Sequence, residues 1–404
     1  MTGIGWLSLC AALAAGEFLA SWVPQCAEAW PAAAIAAALT ACFGYGACVR
    51  GWRYAFFFFA GLALFLQASV AGERAFRDRP WMRTAKSQWR AAQEPETAAV
   101  RVRKALSRRI GLGLDHDREA AALNRAILLG ERSKLPWRTK RTFVESGTMH
   151  VFAISGLHVM VVLGVIRILL LPLLMPRRWA GVLSLPFLWG YVVVIGGAPS
   201  AVRAATMASF AAFAPVFWRR PNGVVAWSLT FLLVHVADPL QIANVGSALS
   251  FAVMLAILLA VELTRDEPSG WRRKALVALA AWAAGTPIAA HVFGRVTPGG
   301  LVANLILIPV AEKMVAVGAF GCVLSFVSEK LAAHVNNLAA LLTSLMVGIA
   351  EVVSRFPGGN VEVTWSIGTC AAWYVALALA AWLYHSVRRR RRSVLSPLTR
   401  RAEK

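Results

Sequence analysis

Apolar runs of about 20 residues, the length that crosses the hydrocarbon core of a bilayer, recur from one end of this chain to the other. A backbone in hydrocarbon must satisfy its own hydrogen bonds, and runs of this length do so as α-helices. The pattern therefore predicts an all-α fold, a polytopic transmembrane helical bundle. Composition supports lipid as the solvent. Hydrophobic residues make up 58% of the 404 and charged residues 15%, against roughly a quarter charged in soluble domains.

With the N-terminus placed in the cytoplasm, about twelve spans are expected, near 4–23, 30–49, 52–71, 149–175, 179–197, 201–218, 222–236, 245–263, 274–293, 299–328, 331–354 and 365–386. The 299–328 stretch is long for one plain helix and carries Pro309, Glu312 and Lys313, so it is expected as one broken span. Glu312 and Lys313 could pair or mark a turn. The short loops assigned to the cytoplasm hold Arg50, Arg53, Arg177, Arg178, Arg219, Arg220 and the 265–274 cluster, whereas loops 24–29, 198–200 and 237–244 carry no Lys or Arg. That is the positive-inside distribution, and it points to a multi-pass protein of the cell inner membrane. The expected organisation is N-terminal spans over 1–71, a basic and mostly helical extramembrane segment over 72–148, a core over 149–328, C-terminal spans over 329–386, and a basic cytoplasmic tail over 387–404.

The 72–148 segment holds 18 Lys and Arg, and on this topology it faces outward. A basic surface there suits a polyanion: nucleic acid, acidic lipid or an acidic envelope polymer. Val102, Leu106 and Ile110 recur every four residues, with Arg101, Lys104, Arg108 and Arg109 on the remaining faces, which is the pattern of a basic amphipathic helix. Such a helix can lie on anionic headgroups or touch nucleic acid directly. A second helix is expected from Asp117 to Leu129 and a third from Pro136 to about Glu145, with Gly147 breaking the chain before the next apolar run.

The six cysteines form no CxxC pair and no ligand spacing with histidine, so neither a metal site nor any other cofactor is expected. The first apolar segment has no basic leader and contains Glu17, which reads as a retained span.

Chemistry concentrates where polar residues enter apolar spans, because such residues are costly in lipid and normally face a bundle interior or a wet cavity. The run from Glu145 to Val159 places His150, Ser155, Gly156 and His158 at the start of a Val, Leu and Ile span. On an unbroken helix His150 and His158 would lie about two turns apart on nearly one face; Gly156 either allows close helix approach or marks a break. Satisfied histidines in ordinary helix packing are the plain alternative. Arg203 and Arg167 lie inside spans, where an Arg at helix centre costs roughly 2.5–3.5 kcal/mol on insertion scales; each is either a phosphate-facing liner or a snorkelling side chain. Asn304 beside Pro309 fits a discontinuous helix facing a cavity. His235 and Asp238 read as an interfacial pair.

His150-Val-Phe-Ala-Ile-Ser-Gly-Leu-His-Val159 resembles the signature run of the ComEC-type competence family. Leu129-Gly-Glu-Arg-Ser133 and Phe143 precede it. Gly197-Ala-Pro-Ser-Ala-Val-Arg-Ala-Ala-Thr-Met207, Asp238-Pro-Leu, Val245-Gly-Ser-Ala-Leu-Ser-Phe251, Thr286-Pro, His291-Val-Phe-Gly294 and Asn304-Leu-Ile-Leu-Ile-Pro309 follow in the family's order, over roughly 118–328. The resemblance implies an inner-membrane channel that takes up single-stranded DNA during natural transformation. It implies partners in membrane lipid and in the receptor, motor and strand-binding proteins of an uptake machinery. His150, Ser155, Gly156, His158, Arg203, His291 and Asn304 are then the expected path or gate, and Arg101, Lys104, Arg108 and Arg109 the outward capture surface. Such a core needs no enzymatic step.

Family members also carry an oligonucleotide-binding barrel and a metallo-β-lactamase-like domain. Residues 72–95 show no strand alternation, and no His-x-His-x-Asp-His run is present, so a nuclease, if needed, is expected in trans. Three rival readings stand beside the channel. A secondary transporter or flippase would share the midplane polar residues. An intramembrane hydrolase would use Ser155 with His158 or His291. A family relic would have no transport activity.

Overall fold

The computed structural model describes residues 97–384 apart from 116, 153, 239–240, 242–243, 266–269, 357–358 and 382. The expected spans of 1–71, the stretch 72–96 and the tail after Tyr384 lie outside the described residues. Within them the regular structure is helical except for one two-residue strand pair. The helices are α1 (Ala98–Ile110), α2 (Arg118–Leu129), α3 (Trp137–Glu145), α4 (Gly156–Leu169), α5 (Arg177–Val194), α6 (Pro199–Phe213), α7 (Gly223–Ala237), α8 (Val245–Leu263), α9 (Trp271–Phe293), α10 (Pro298–Leu324) and α11 (Glu329–Ser354). A last helix, α12, covers Ile367–Ala381. Strand β1 (Arg295–Val296) pairs antiparallel with β2 (Val361–Glu362).

Local chemistry sets most of these ends. Thr97 accepts from the Val100 N–H at the start of α1, and Asp117 accepts from the Ala120 N–H at the start of α2, each satisfying a donor the first turn leaves open. Gly130 stops α2 at φ 71°, in the left-handed region that suits glycine. Asn222 takes the Val224 and Val225 N–H groups at the head of α7, and Pro199 opens α6, where its missing N–H costs nothing.

Five helices are long and apolar enough to cross a membrane: α6 with its short extension to Phe217, α8, α9, α10 and α11. Four shorter apolar helices, α4, α5, α7 and α12, also fall on expected spans. Two expectations need correction. The 149–175 span is in fact a tight turn over Met149–Phe152, the 14-residue α4, and a second turn over Leu171–Leu173 ending at Leu174, whose φ is 49°. A helix of 14 residues measures about 21 Å, short of the hydrocarbon core. The 299–328 stretch is not broken. Its helix runs unbroken over 27 residues from Pro298 to Leu324, with Pro309 inside it. A proline removes one N–H and crowds one carbonyl, which a helix propagating on both sides absorbs; Glu312 and Lys313 therefore mark no turn.

The described residues divide into two compact units. The first takes in the described part of 1–141 with 149–251 and 307–348; the second takes in 142–148, 252–306 and the described part of 349–404. In the first, α6 packs against α4, α5 and α7, and α1 packs on α2 and α5. Helix α2 is almost wholly enclosed, with nine of its 12 residues buried. Leu114, Ala120 and Ala121 form a core cluster with Ala340 of α11. The Thr343 hydroxyl donates to Asn124 Oδ1 at 2.7 Å. A Cβ on Gly318 would lie 2.6 Å from Leu128 Cδ1, so α10 and α2 approach closely at this glycine, and a larger residue would push the Leu128 side chain aside.

In the second unit, Pro287 lies inside α9 and so leaves the carbonyl four residues back without its helical donor. The Trp373 indole supplies that donor, reaching Ala283 O at 2.9 Å, and the Tyr374 hydroxyl reaches Ala284 O at 2.8 Å. Trp282 donates to Thr297 O at 3.0 Å. At the turn before α10, Gly147 has φ 71°, and a Cβ there would sit 2.6 Å from Thr297 Oγ1. This explains why the expected chain break falls on glycine.

Candidate functional site

Ser155 is the cap residue of α4, and Gly156 is its first helical residue. The chain breaks between the short turn that holds His150 and the helix that starts at Gly156, so His150 does not share a helix face with His158, and of the two readings of Gly156 the break is the one that holds. The His158 ring folds back over the helix start. Its Nδ1 accepts the Ser155 N–H at 3.2 Å and lies 2.8 Å from Ser155 Oγ, as a Glu or Gln side chain does in a capping box. His158 is 1% exposed, and its Nε2 has no hydrogen-bond partner. His150 is exposed. The Ser–His contact that a hydrolase would need is therefore present, but its Nδ1 is engaged in capping the helix and no carboxylate bonds the opposite nitrogen.

About one turn into α6 the chain reaches Arg203, which is 6% exposed. It does not snorkel to an interface. Its Nε donates to Ser250 Oγ at 3.1 Å, its Nη2 donates to Gly246 O at 3.1 Å, and its guanidinium carbon stands 5.7 Å from the centre of the Phe251 ring. Both hydrogen-bond partners are uncharged. Gly246, Ser250 and Phe251 all belong to the Val245–Phe251 motif. At the head of the same helix the Ser200 hydroxyl donates to the Ile154 carbonyl, inside the His150–Val159 motif. Three motifs separated by long stretches of sequence thus converge on α6.

Around this junction the interior is polar for a helix bundle: Thr230, His235 and Ser247 are all buried. His235 bonds Phe231 O through Nδ1 at 2.7 Å and stands 4.0 Å from the Phe231 ring and 5.5 Å from the Phe251 ring. It is buried, and Asp238 is close enough to interact with it electrostatically. Arg167 is exposed near the end of α4.

The remaining path candidates belong to the second unit. His291 is exposed, and its Nδ1 donates to Trp365 O at 2.9 Å. Asn304 is half-buried on α10 with its Oδ1 enclosed and unbonded. Since α10 is continuous, the expectation that Asn304 sits at a helix break is corrected.

The capture residues separate. Arg101, Lys104 and Arg108 are exposed. Arg109 is not part of that surface: its Nη1 donates to Ser325 O at 2.6 Å and to Ser325 Oγ at 3.2 Å, with its guanidinium carbon 4.1 Å from the Phe326 ring centre. The expected apolar stripe is also rotated. Val102 is 45% exposed while Ile110 is 2% exposed, and Ala99, Arg103, Leu106 and Ile110 make the packed face. The sequence reading missed Asn336, whose Nδ2 donates to Arg109 O at 2.8 Å and Leu112 O at 3.2 Å. An asparagine in a long apolar helix was the available signal. Among the described residues no group of three or more His, Cys, Asp or Glu could hold a metal ion.

The family model described as Competence protein matches residues 127–388. The chain belongs to that family. Over 207 residues it is 27% identical to ComE operon protein 3 of Bacillus subtilis (strain 168), a match covering 51% of this chain and 26% of that protein. Over 215 residues it is 30% identical to an uncharacterized protein of Aquifex aeolicus (strain VF5), covering 52% of this chain and 49% of that protein. The match thus spans about a quarter and about half of these two curated relatives. No solved structure matches the chain. The part that matches the Competence protein family contains the whole junction of Ile154, Ser200, Arg203, Gly246 and Ser250. Helix α1 lies ahead of it.

Proposed function

We propose that this chain is the inner-membrane channel through which single-stranded DNA enters the cell during natural transformation. The observation that carries this reading is the convergence of three family motifs on α6, where a buried Arg203 is held by a hydroxyl and a carbonyl instead of by an acid. A guanidinium bonded only to neutral groups has its positive charge balanced by neither partner. That is what a path for phosphates requires. His150, Ser155, Gly156 and His158 at the α4 entrance, together with Arg203, form the path or its gate in this proposal. His291 and Asn304 belong to the same proposal. Arg101, Lys104 and Arg108 receive the strand.

No bond need be made or broken for passage. The drive then comes from partners: a receptor outside, a cytoplasmic motor, and proteins that bind the emerging strand.

The test is gene deletion followed by complementation, reading fluorescent DNA and transformant yield. Wild type should restore transformants, Arg203→Lys in part, and Arg203→Glu not at all, with all variants matched for membrane abundance. Transport of labelled DNA that is unchanged by deletion would overturn the channel reading and leave a transporter or flippase of another substrate as the better account.

A further inference from the structure

Positive charge and hydrogen-bond donors are in surplus where α6, α7 and α8 meet around Phe251. The Phe251 ring centre stands 5.7 Å from the Arg203 guanidinium carbon, 5.1 Å from the Phe231 ring and 5.5 Å from the His235 ring. The Trp227 indole donates to the Phe251 carbonyl at 3.0 Å, which ties α7 to α8 beside it. Arg203 is buried in this corner, and among the described residues it forms no ion pair. Its two hydrogen bonds go to Ser250 Oγ and Gly246 O, and a guanidinium has further N–H groups to offer. The acid in the neighbourhood is Asp238, which acts on His235. It is exposed, and its Oδ2 takes the Gln241 amide at 2.9 Å.

Ser247 adds to the surplus. It is 1% exposed, and its Oγ has no hydrogen-bond partner. Hydroxyls within these helices commonly return to the carbonyl four residues back, as those of Thr206, Ser209 and Thr286 do. Ser247 lies in the first turn of α8, so the carbonyl four residues back is outside the helix. Its direction follows from register. At about 100° per residue, Gly246, Ser250, Ser247 and Phe251 occupy one continuous sector of α8 in that angular order. Gly246, Ser250 and Phe251 are the neighbours of Arg203, so Ser247, between them, faces the guanidinium. The same turn carries the positive end of the α8 dipole. Asn244 Oδ1 takes the Gly246 and Ser247 N–H groups at 2.9 and 3.2 Å, which satisfies those donors and brings no charge.

A buried cation with neutral partners, beside a buried hydroxyl that has no acceptor, is the chemistry of an anion site, because an enclosed charge is costly until it is balanced. A water molecule could accept from Ser247 but would leave the charge of Arg203 as it is. We propose that Arg203 of α6 and the first turn of α8 hold a small dehydrated anion, chloride in the cell, between the guanidinium and the Ser247 hydroxyl. Burial of both donors favours an ion of one atom; a phosphodiester would have to open the corner. The inference goes beyond the channel reading and does not rest on it. Where both hold, a strand phosphate that reaches Arg203 displaces the ion.

The test uses the full chain in nanodiscs of neutral phosphatidylcholine, prepared in sodium gluconate. Equilibrium dialysis with radiolabelled chloride at constant ionic strength should show saturable binding of a single ion per chain, displaced by bromide and not by gluconate. The melting temperature should rise with chloride over the same concentration range, because a ligand that binds only the folded state stabilises it. Ser247→Ala removes one donor to the ion and should raise the chloride dissociation constant about tenfold. Its melting temperature in gluconate should equal that of the wild type. Arg203→Lys keeps the charge and should retain weaker binding. Absence of saturable chloride binding, with equal melting temperatures in the two salts, would overturn the proposal and leave water in the corner. Chloride binding that Ser247→Ala leaves unchanged would place the ion elsewhere and overturn it equally. Neither result bears on the channel reading, which transformant yield after gene deletion tests separately.

Discussion

The two compact units meet the same physical problem, polar groups inside apolar helices, with different principal donors. In the first unit several donors carry a charge or an amide, Arg203 on Gly246 and Ser250, Asn336 on the end of α1 and Arg109 on Ser325, beside aromatic donors such as Trp227 on Phe251 and Tyr191 on Leu128. Each of the first three satisfies carbonyls or hydroxyls of a segment distant in sequence. In the second unit a proline within α9 creates the open carbonyl, and aromatic donors close it: Trp373 on Ala283, with Tyr374 on Ala284 beside it. An indole also fills volume, so part of its contribution is packing. A guanidinium contributes little packing and cannot be removed without stranding its acceptors. The first unit should therefore be intolerant of single changes, whereas a single change in the second should be repairable.

The sharpest break of that contrast is at Arg203. Replacing it with Glu sets a carboxylate against the Gly246 carbonyl and should lower stability by about 3 kcal/mol or more, read as a fall in folded yield and melting temperature in detergent. Full tolerance would remove the distinction between the units. Next comes Asn336→Leu, which leaves the carbonyls of Arg109 and Leu112 without their donor. A loss of about 1–3 kcal/mol is expected, with faster tryptic cutting within α1.

The repairable case is Trp373→Phe, which strands the Ala283 carbonyl at a cost of about 1–2 kcal/mol. Adding Pro287→Ala restores an N–H four residues on, so the double mutant should recover most of the loss. A double-mutant cycle measures the coupling, and strictly additive effects would show that the indole contributes only volume. Thr343→Val, breaking the bond to Asn124, should cost about 0.6 kcal/mol, the mean for interhelical hydrogen bonds in membranes. The smallest effect belongs to the exposed pair of Arg295 and Glu362 at 3.2 Å. Glu362→Gln should shift stability by no more than about 0.5 kcal/mol, and less in high salt.

Helix ends were legible wherever a local signal set them. Asp117, Pro136 and Gly147 stand at or next to the boundaries they predict, because caps and turns act over a few residues. Span 245–263 coincides with α8 for the same reason: its apolar run has no interior interruption. The signature segment was legible as a family motif, and of the two readings offered for Gly156 the helix break is the one that holds, with Ser155 capping the new helix. The apolar stripe of α1 was read from periodicity and came out rotated, because Arg109 and Arg103 are drawn into contacts with carbonyls that the sequence does not place nearby.

By itself, then, the sequence determined an all-α membrane protein, most helix boundaries and the motifs of the Competence protein family. All of these are written in short-range chemistry: hydropathy over about 20 residues, caps, and glycine or proline at turns. Only the tertiary structure decided that Arg203 has neutral partners, that three motifs meet on α6, and that residues 98–129 pack along α11 instead of standing apart. The reason is that a polar side chain's role depends on which acceptor comes within about 3 Å of it, and that is fixed by which helices approach one another, not by its own neighbours in the chain.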